Sequence, residues 1–376
     1  MRDQLDSHPV SYRTLGNAYG ESGDYLGEAY INSLSDYRDW ITSERRFKII
    51  LVKNMGVHLC IDETMLGGHL YTIVSNRDAH GKRGTIVAII KGVKSEVIIK
   101  ALEKIPKELR DKVVDITMDF SDSMKLIAEK SFPKATITVD HFHIIQDLYN
   151  HMLESLQDEK KQTMIAIKHE RAEWRKLCEN ASKRRRYNRE KYPRNHKGRK
   201  RGRKPVILMK NFKTQIQIGN EAKLDFLRRA LHTLRTGHEK WSDEQQARMN
   251  MLFNACPAIK EAFDLAMEFR DMFRIATPKG KKYADLTKEE KLAYYNRAKE
   301  QLTSWYEKVA KCNSTGLKTF KRTIKEREKH VMNYFLTGAS NAPAESLNSR
   351  IKAFRADLKG TKNIEKFLYR VCKIYG

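Results

Sequence analysis

Val57-His58-Leu59-Cys60-Ile61-Asp62-Glu63-Thr64 is an apolar run that stops abruptly at a carboxylate pair. The pattern returns in Val113-Val114-Asp115-Ile116-Thr117-Met118-Asp119-Phe120, and again in Ala135-Thr136-Ile137-Thr138-Val139-Asp140-His141-Phe142-His143. Runs this rich in β-branched residues read as strands, and each carries an Asp to its C-terminal end. In open α/β sheets, reactive groups collect outside the carboxyl ends of the strands. The three runs therefore point to one site at one edge of one sheet.

Working outward, His69 to Ser75 and Thr85 to Lys91 read as two more strands. They follow the first through a Gly67-Gly68 turn and a polar turn over 76–83, which makes an antiparallel meander. Lys94 to Ile105 has apolar residues at helical spacing and is closed by Pro106. A second helix, Asp122 to Lys130, separates the last two strands. Three antiparallel strands, then two parallel strands with helices, is the order of a ribonuclease-H-like α/β core, placed here over 51–150. Residues 1–50 read as a helical extension that fits a helix-turn-helix around Gly20 and Gly23. From 151 to 336 strand signals vanish, and helical patterns occupy 221–236, 245–274, 287–312 and 317–336. That is too long for a loop, so a large all-α insertion interrupts the core. Residues 337–376 return to complete it with two helices.

A net charge of +26 from 73 Lys and Arg points to a polyanionic partner. Much of that charge lies in a basic segment over 183–205. Its Gly198-Arg199-Lys200-Arg201-Gly202-Arg203-Lys204-Pro205 stretch is similar to an AT-hook, in which Arg-Gly-Arg lies in a narrow minor groove. Arg199, Lys200, Arg201, Arg203 and Lys204 are thus the candidate DNA contacts, through the groove or through phosphates. The five cysteines are far apart with no C-x-x-C pair, which argues against a zinc ribbon and for reduced thiols in a cytosolic protein. No apolar run reaches the roughly 18 residues that span a membrane, and Met1-Arg2-Asp3-Gln4 opens no signal peptide. These readings place the protein in the cytoplasm, with the nucleoid.

Carboxylates at strand ends suit hard divalent cations. Two such ions, about 4 Å apart, clamp an in-line displacement at phosphorus. A bridging Asp, a second Asp and a third acidic group are needed. The first and fourth strands are neighbours in this topology, which brings Asp62 and Asp119 together, and Glu345 on a late helix can complete the set. Asp140 competes for the second place, and His143 beside it can orient a carboxylate, a water or a phosphate. Glu63 would face away from Asp62, and Asp115 and Asp122 read as surface or cap residues. In Asn341-Ala342-Pro343-Ala344-Glu345, Asn341 reads as a helix cap and Pro343 suits the first turn. Glu345, Asn348 and Lys352 then share one face.

The motifs Ile61-Asp62-Glu63-Thr64, Gly68-His69-Leu70-Tyr71, Met118-Asp119-Phe120-Ser121 and Val139-Asp140-His141-Phe142-His143, followed by Asn341, Glu345, Asn348, Ile351 and Lys352, resemble DDE insertion-sequence transposases of the ISL-three group. The resemblance covers about residues 55–376. It implies Asp62, Asp119 and Glu345 as catalytic, metal-holding carboxylates, with Mg2+ or Mn2+, two ions, as cofactor. It places Asp140, His143, Asn348 and Lys352 as accessory residues. It further implies DNA cleavage at transposon ends, transfer of the 3′-hydroxyl into target DNA, and action as a homo-oligomer. Such transposases usually begin with a zinc-binding segment, and no zinc ligands are visible here. End recognition therefore falls to residues 1–50, to the insertion or to a separately encoded subunit. The competing functions are a structure-specific nuclease or resolvase of the same fold, and a noncatalytic DNA-binding protein.

Overall fold

The computed structural model describes residues 1–191, 212–274, 283–358 and 363–376. The basic stretch with Arg199, Lys200, Arg201, Arg203 and Lys204 lies outside the described residues. The chain divides into two compact units: Met1–Ile145, Ile275–Gln301 and Ile324–Gly376 form the first, Gln146–Arg274 and Leu302–Thr323 the second.

The first unit holds a six-stranded mixed sheet made of β1 (Lys48–Ile50), β2 (His58–Leu66), β3 (His69–Asn76), β4 (Ile86–Lys91), β5 (Asp115–Met118) and β6 (Thr136–Val139). Their order across the sheet is β1-β4-β3-β2-β5-β6. β2, β3 and β4 form the expected antiparallel meander, and β5 and β6 run parallel to β2. The two-residue β2–β3 turn needs φ of 60° at Gly67 and 81° at Gly68, a backbone that glycine adopts without strain. β1 is an addition to the expected sheet. Residues 48–50 fall inside the stretch read as a helical extension, yet they pair antiparallel with β4. Three residues are too few to show a period-two pattern.

One face of the sheet buries Leu66, Ile73 and Ile89 against Leu347, Ile351 and Phe354 of the Ala342–Asp357 helix and Phe367 and Val371 of the Ile364–Tyr375 helix. The Ser95–Leu102 and Asp122–Ser131 helices pack together, and the second also meets β2, β5 and β6. The first residues of the chain are tied to the Ile364–Tyr375 helix. Leu15, Leu26 and Tyr30 pack around Tyr369, and the Arg370 guanidinium, 1% exposed, donates to the carbonyls of Leu5, His8 and Val10. Arg370→Met should strand those three carbonyls and cost about 2–4 kcal/mol. Amide exchange should then speed up across residues 1–43 and leave β2, β5 and β6 protected. Uniform protection would refute that anchoring role.

Tyr12–Tyr19 and Gly23–Ala29 form the helical pair expected around Gly20, which is left-handed at φ 73°. The exposed side of the second helix carries Asp24, Tyr25 and Glu28. Over 1–43 there are three basic residues (Arg2, Arg13, Arg38) and seven acidic ones (Asp3, Asp6, Glu21, Asp24, Glu28, Asp36, Asp39).

The second unit is built around Trp305, Phe269, Phe263 and Phe320, with the Trp305 Nε1–H donating to the Leu265 carbonyl at 2.8 Å. Two expectations need correction here. The helix expected over 245–274 is two, Asp243–Ala255 and Pro257–Met272, because Pro257 supplies no N–H to continue the first. The insertion is also not wholly helical: Gln217–Ile218 and Glu221–Ala222 pair as a two-stranded ribbon around Gly219. No described helix is long and apolar enough to cross a membrane. The five cysteines are free.

Candidate active site

Parallel pairing of β2 with β5 sets Cys60 beside Thr117 and Ile61 beside Met118. One residue further on, Asp62 and Asp119 meet at the same level. Asp62 is 7% exposed. Burial, and then the charge of Asp119, push its carboxyl up to about 7, and Glu345 adds to the rise. Burial also raises Asp119, against the opposing pull of His143 and of a hydrogen bond from Asn341. Carboxylates forced together out of water in this way disfavour their own charged forms.

β6 delivers Asp140, buried at its C-terminal end, and His143 follows in the first turn of the His141–Lys191 helix. His143 Nδ1 lies 3.1 Å from Asp140 Oδ2 and 3.4 Å from Asp119 Oδ1. Burial alone would raise Asp140, but the bonds from His143 and from the Asn341 amide hold it below the ordinary carboxylate value. The bond to Asp140 in turn raises His143, with the nearby carboxylates assisting. Each partner thus favours the charged form of the other, a cationic ring against a carboxylate. His141 packs at a tilt on Tyr334, ring centres 4.8 Å apart, and burial lowers its pKa.

The Ala342–Asp357 helix brings the remaining groups. Asn341 precedes it but makes no side-chain cap bond. Its Nδ2 donates instead to Asp119 Oδ1 at 2.9 Å, and its backbone N–H to Asp140 Oδ1 at 3.0 Å. Two turns on, Asn348 Nδ2 donates to Asp62 Oδ2 at 2.6 Å. Glu345 lies between them, and ligand atoms of Glu345, Asp140 and His143 come within 4.8 Å of one another. Asp62, Asp119, Asp140, His143, Glu345 and Asn348 are thus gathered into one cluster. Lys352 is exposed on the same helix and makes no hydrogen bond or ion pair with it.

Sequence reasoning read Asn341 as a cap and missed its bond to Asp119, because an Asn two residues before a Pro carries every mark of a cap. It also misread Asp115. That carboxylate is buried, accepts from Arg77, and lies 2.5 Å from His58 Nδ1. His58 is its register partner across β2 and β5, 57 positions earlier in the chain. The group sits at the N-terminal ends of β2 and β5, whereas Asp62 lies within β2, which runs on to Leu66. Asp122 is exposed in the first turn of its helix, as expected, and pairs with Arg327.

The donor set suits a hard divalent cation. It offers several carboxylate oxygens, and burial disfavours the charged forms of Asp62 and Asp119, a cost that a bound cation would relieve. A family model described as Transposase, of the DDE type and ISL-three group, matches residues 59–371. No curated protein and no solved structure matches the chain.

Proposed function

The chain belongs to the ISL-three group of DDE transposases, and from that premise we propose that it cuts DNA at the ends of an insertion sequence and joins the freed 3′-hydroxyl to target DNA. The observation that carries this reading is that Asp62 and Asp119, on adjacent strands, are hydrogen-bonded by Asn348 and Asn341 of the late helix, which also brings Glu345 to Asp140 and His143. The strand order β1-β4-β3-β2-β5-β6 supports taking the first unit as a ribonuclease-H-like core.

Asp62, Asp119 and Glu345 would hold two divalent cations, Mg2+ or Mn2+. Bound there, the cations would polarise the attacking oxygen and neutralise charge gathering at phosphorus. Asp62 and Asp119 set the carboxylate frame from the rigid edge of the sheet. Glu345 closes the frame from its helix. His143, held by Asp140, sets a ring nitrogen beside Asp119, and a proton on that ring would lower the repulsion that an incoming phosphate meets. In the first step a water oxygen bonds to phosphorus and the bond to the 3′-oxygen breaks, leaving a 3′-hydroxyl and a 5′-phosphate. In the second that 3′-hydroxyl attacks a target phosphodiester and displaces its 3′-oxygen. No covalent protein intermediate is required.

We assign bulk DNA affinity to the basic segment rather than to the N-terminal helical pair, whose exposed Asp24 and Glu28 would face phosphates with like charge. Deleting 198–205 removes five cations. It should weaken duplex binding at low salt by at least about tenfold and flatten the salt slope by up to about 4. Unchanged binding at low salt would discard the assignment. Homo-oligomerisation is implied by the resemblance to the family, and a separate chain for end recognition is an alternative raised by the missing zinc ligands.

The reading is tested with a duplex carrying the element's own end and its flank, in Mg2+, with a second duplex as target. Joined product supports a transposase. Cleavage without joining identifies a nuclease, and binding without either identifies a noncatalytic protein.

A further inference from the structure

Two asparagines stand seven residues apart on one face of the helix that carries Glu345. They are treated by their surroundings in the same unusual way. Asn341 is 0% exposed and Asn348 6%. Each gives its amide NH2 to one aspartate of the cluster, Asn341 to Asp119 and Asn348 to Asp62. Each also leaves its Oδ1 buried with no hydrogen-bond partner. The amide orientation is dictated by the neighbours: a carboxylate only accepts, so NH2 must face it and the carbonyl oxygen must turn away. A buried acceptor without a donor is rare in folded proteins. Two of them, at matching positions on one helix face beside one acidic cluster, point to a donor that belongs there.

The cation that this cluster would hold brings such donors with it. A small divalent cation in a carboxylate site keeps several of its waters. Those waters direct their hydrogens outward and need acceptors. A neutral amide oxygen accepts without adding to the repulsion among Asp62, Asp119 and Glu345, which another carboxylate would do.

We propose that Asn341 and Asn348 are a matched pair of positioning residues, whose NH2 groups hold Asp119 and Asp62 in place for a divalent cation and whose carbonyl oxygens accept hydrogen bonds from the water bound to it. This rests on the carboxylate site of the proposed function and deepens it. The two-turn spacing makes the helix a ruler: setting Asn341 on Asp119 and Asn348 on Asp62 also sets Glu345 between them. The backbone bond from Asn341 to Asp140 adds β6 to the same frame.

The test uses the full chain and needs no DNA. Mn2+ binding is measured by the loss of the free-ion paramagnetic signal, and folding by circular dichroism and melting in chelator. Asn341→Leu and Asn348→Leu should each lower Mn2+ affinity about tenfold to a hundredfold, the usual loss when a group that orients a metal ligand is removed. They should also reduce the rise in melting temperature that Mn2+ gives the parent protein. If a leucine variant does not fold, Asn341→Ser and Asn348→Ser, smaller and still polar, carry the same expectation with a lesser loss. Folded variants that bind Mn2+ within about twofold of the parent would overturn the pairing and leave two structural pins. Asp62→Asn is measured in parallel. If it too leaves Mn2+ affinity unaltered, the carboxylate reading itself falls. If it weakens binding while the asparagine variants do not, only the pairing falls.

Discussion

Asp62→Asn and Glu345→Gln will each cut strand cleavage in Mg2+ by at least roughly a thousandfold, the scale on which losing one preorganised electrostatic group costs a reaction. Duplex affinity will stay level or rise. Both substitutions keep the shape of the side chain and remove one negative charge, so a loss of activity cannot be put down to packing. Asp62 has little solvent to replace a missing ligand, and its carboxyl oxygens already organise the Glu63 amide and Asn348. Removing its charge empties the frame of the group that the other carboxylates are arranged around. Binding should not suffer, because a less negative cluster repels phosphates less. Asp140→Asn is expected to fall between, with a loss of about tenfold to a hundredfold, since its effect runs through His143 and the Asn341 amide. Glu63→Gln should cost less than about tenfold, because strand alternation sends its side chain to the opposite face from Asp62. The measurement is single-turnover cleavage of the element-end duplex, with binding followed separately. Full cleavage by Asp62→Asn would refute the site.

How far the residues alone reach can be seen at particular positions. An apolar run that ends in Asp62 is legible because aspartate is depleted in strands, and its presence there calls for a reason. The level meeting of Asp62 and Asp119 follows from parallel pairing of two strands joined by a crossover, which the helical spacing over 94–105 already implies. Glu345 is legible through the unusual company of Asn341, Pro343 and Asn348. What stayed hidden depends on contacts between distant parts of the chain. Asp115 looks like any polar residue at the start of a strand until His58 is placed across from it. Asn341 satisfies every local rule for a cap, and only the folded sheet sets Asp119 where it accepts from the amide NH2. β1 is too short to leave a pattern, and the ribbon over 217–222 has two residues a side. Local propensity reports on neighbours in sequence. These four cases were decided by neighbours in space.

In chelator, the stability of the parent protein will fall as pH rises from about 4 to about 7, and Asp62→Asn will lose most of that dependence. The sign follows from the direction of the shift. The ordinary value for Asp is 3.8, and burial together with Asp119 lifts Asp62 to about 7 in the folded chain. Between those values the folded protein holds a proton that the unfolded chain has released, so raising the pH favours unfolding. Below 3.8 both states are protonated and nothing is lost, while above about 7 the full penalty applies. At 1.36 kcal/mol per tenfold change in proton affinity, the penalty reaches about 4 kcal/mol at most. Comparing the two proteins at a single pH would mislead. The carboxamide introduced by Asp62→Asn has a single acceptor oxygen for the two donors that the carboxylate serves, the Glu63 amide and Asn348. The orphaned donor costs about 1–3 kcal/mol. That cost is the same at about pH 5 and about pH 8, so it drops out of the difference in melting temperature between the two pH values, and comparing that difference in parent and variant reports the carboxyl. The parent should melt several degrees lower at the higher pH, and the variant should show a clearly smaller drop, with Asp119 and His143, also raised, supplying what remains. Mg2+ should reverse the pattern in the parent. Protons compete with it for the same oxygens, so it should stabilise strongly at about pH 8 and little at about pH 5. An identical pH dependence in parent and variant, or Mg2+ stabilisation indifferent to pH, would mean that Asp62 is not the buried carboxyl that a cation relieves.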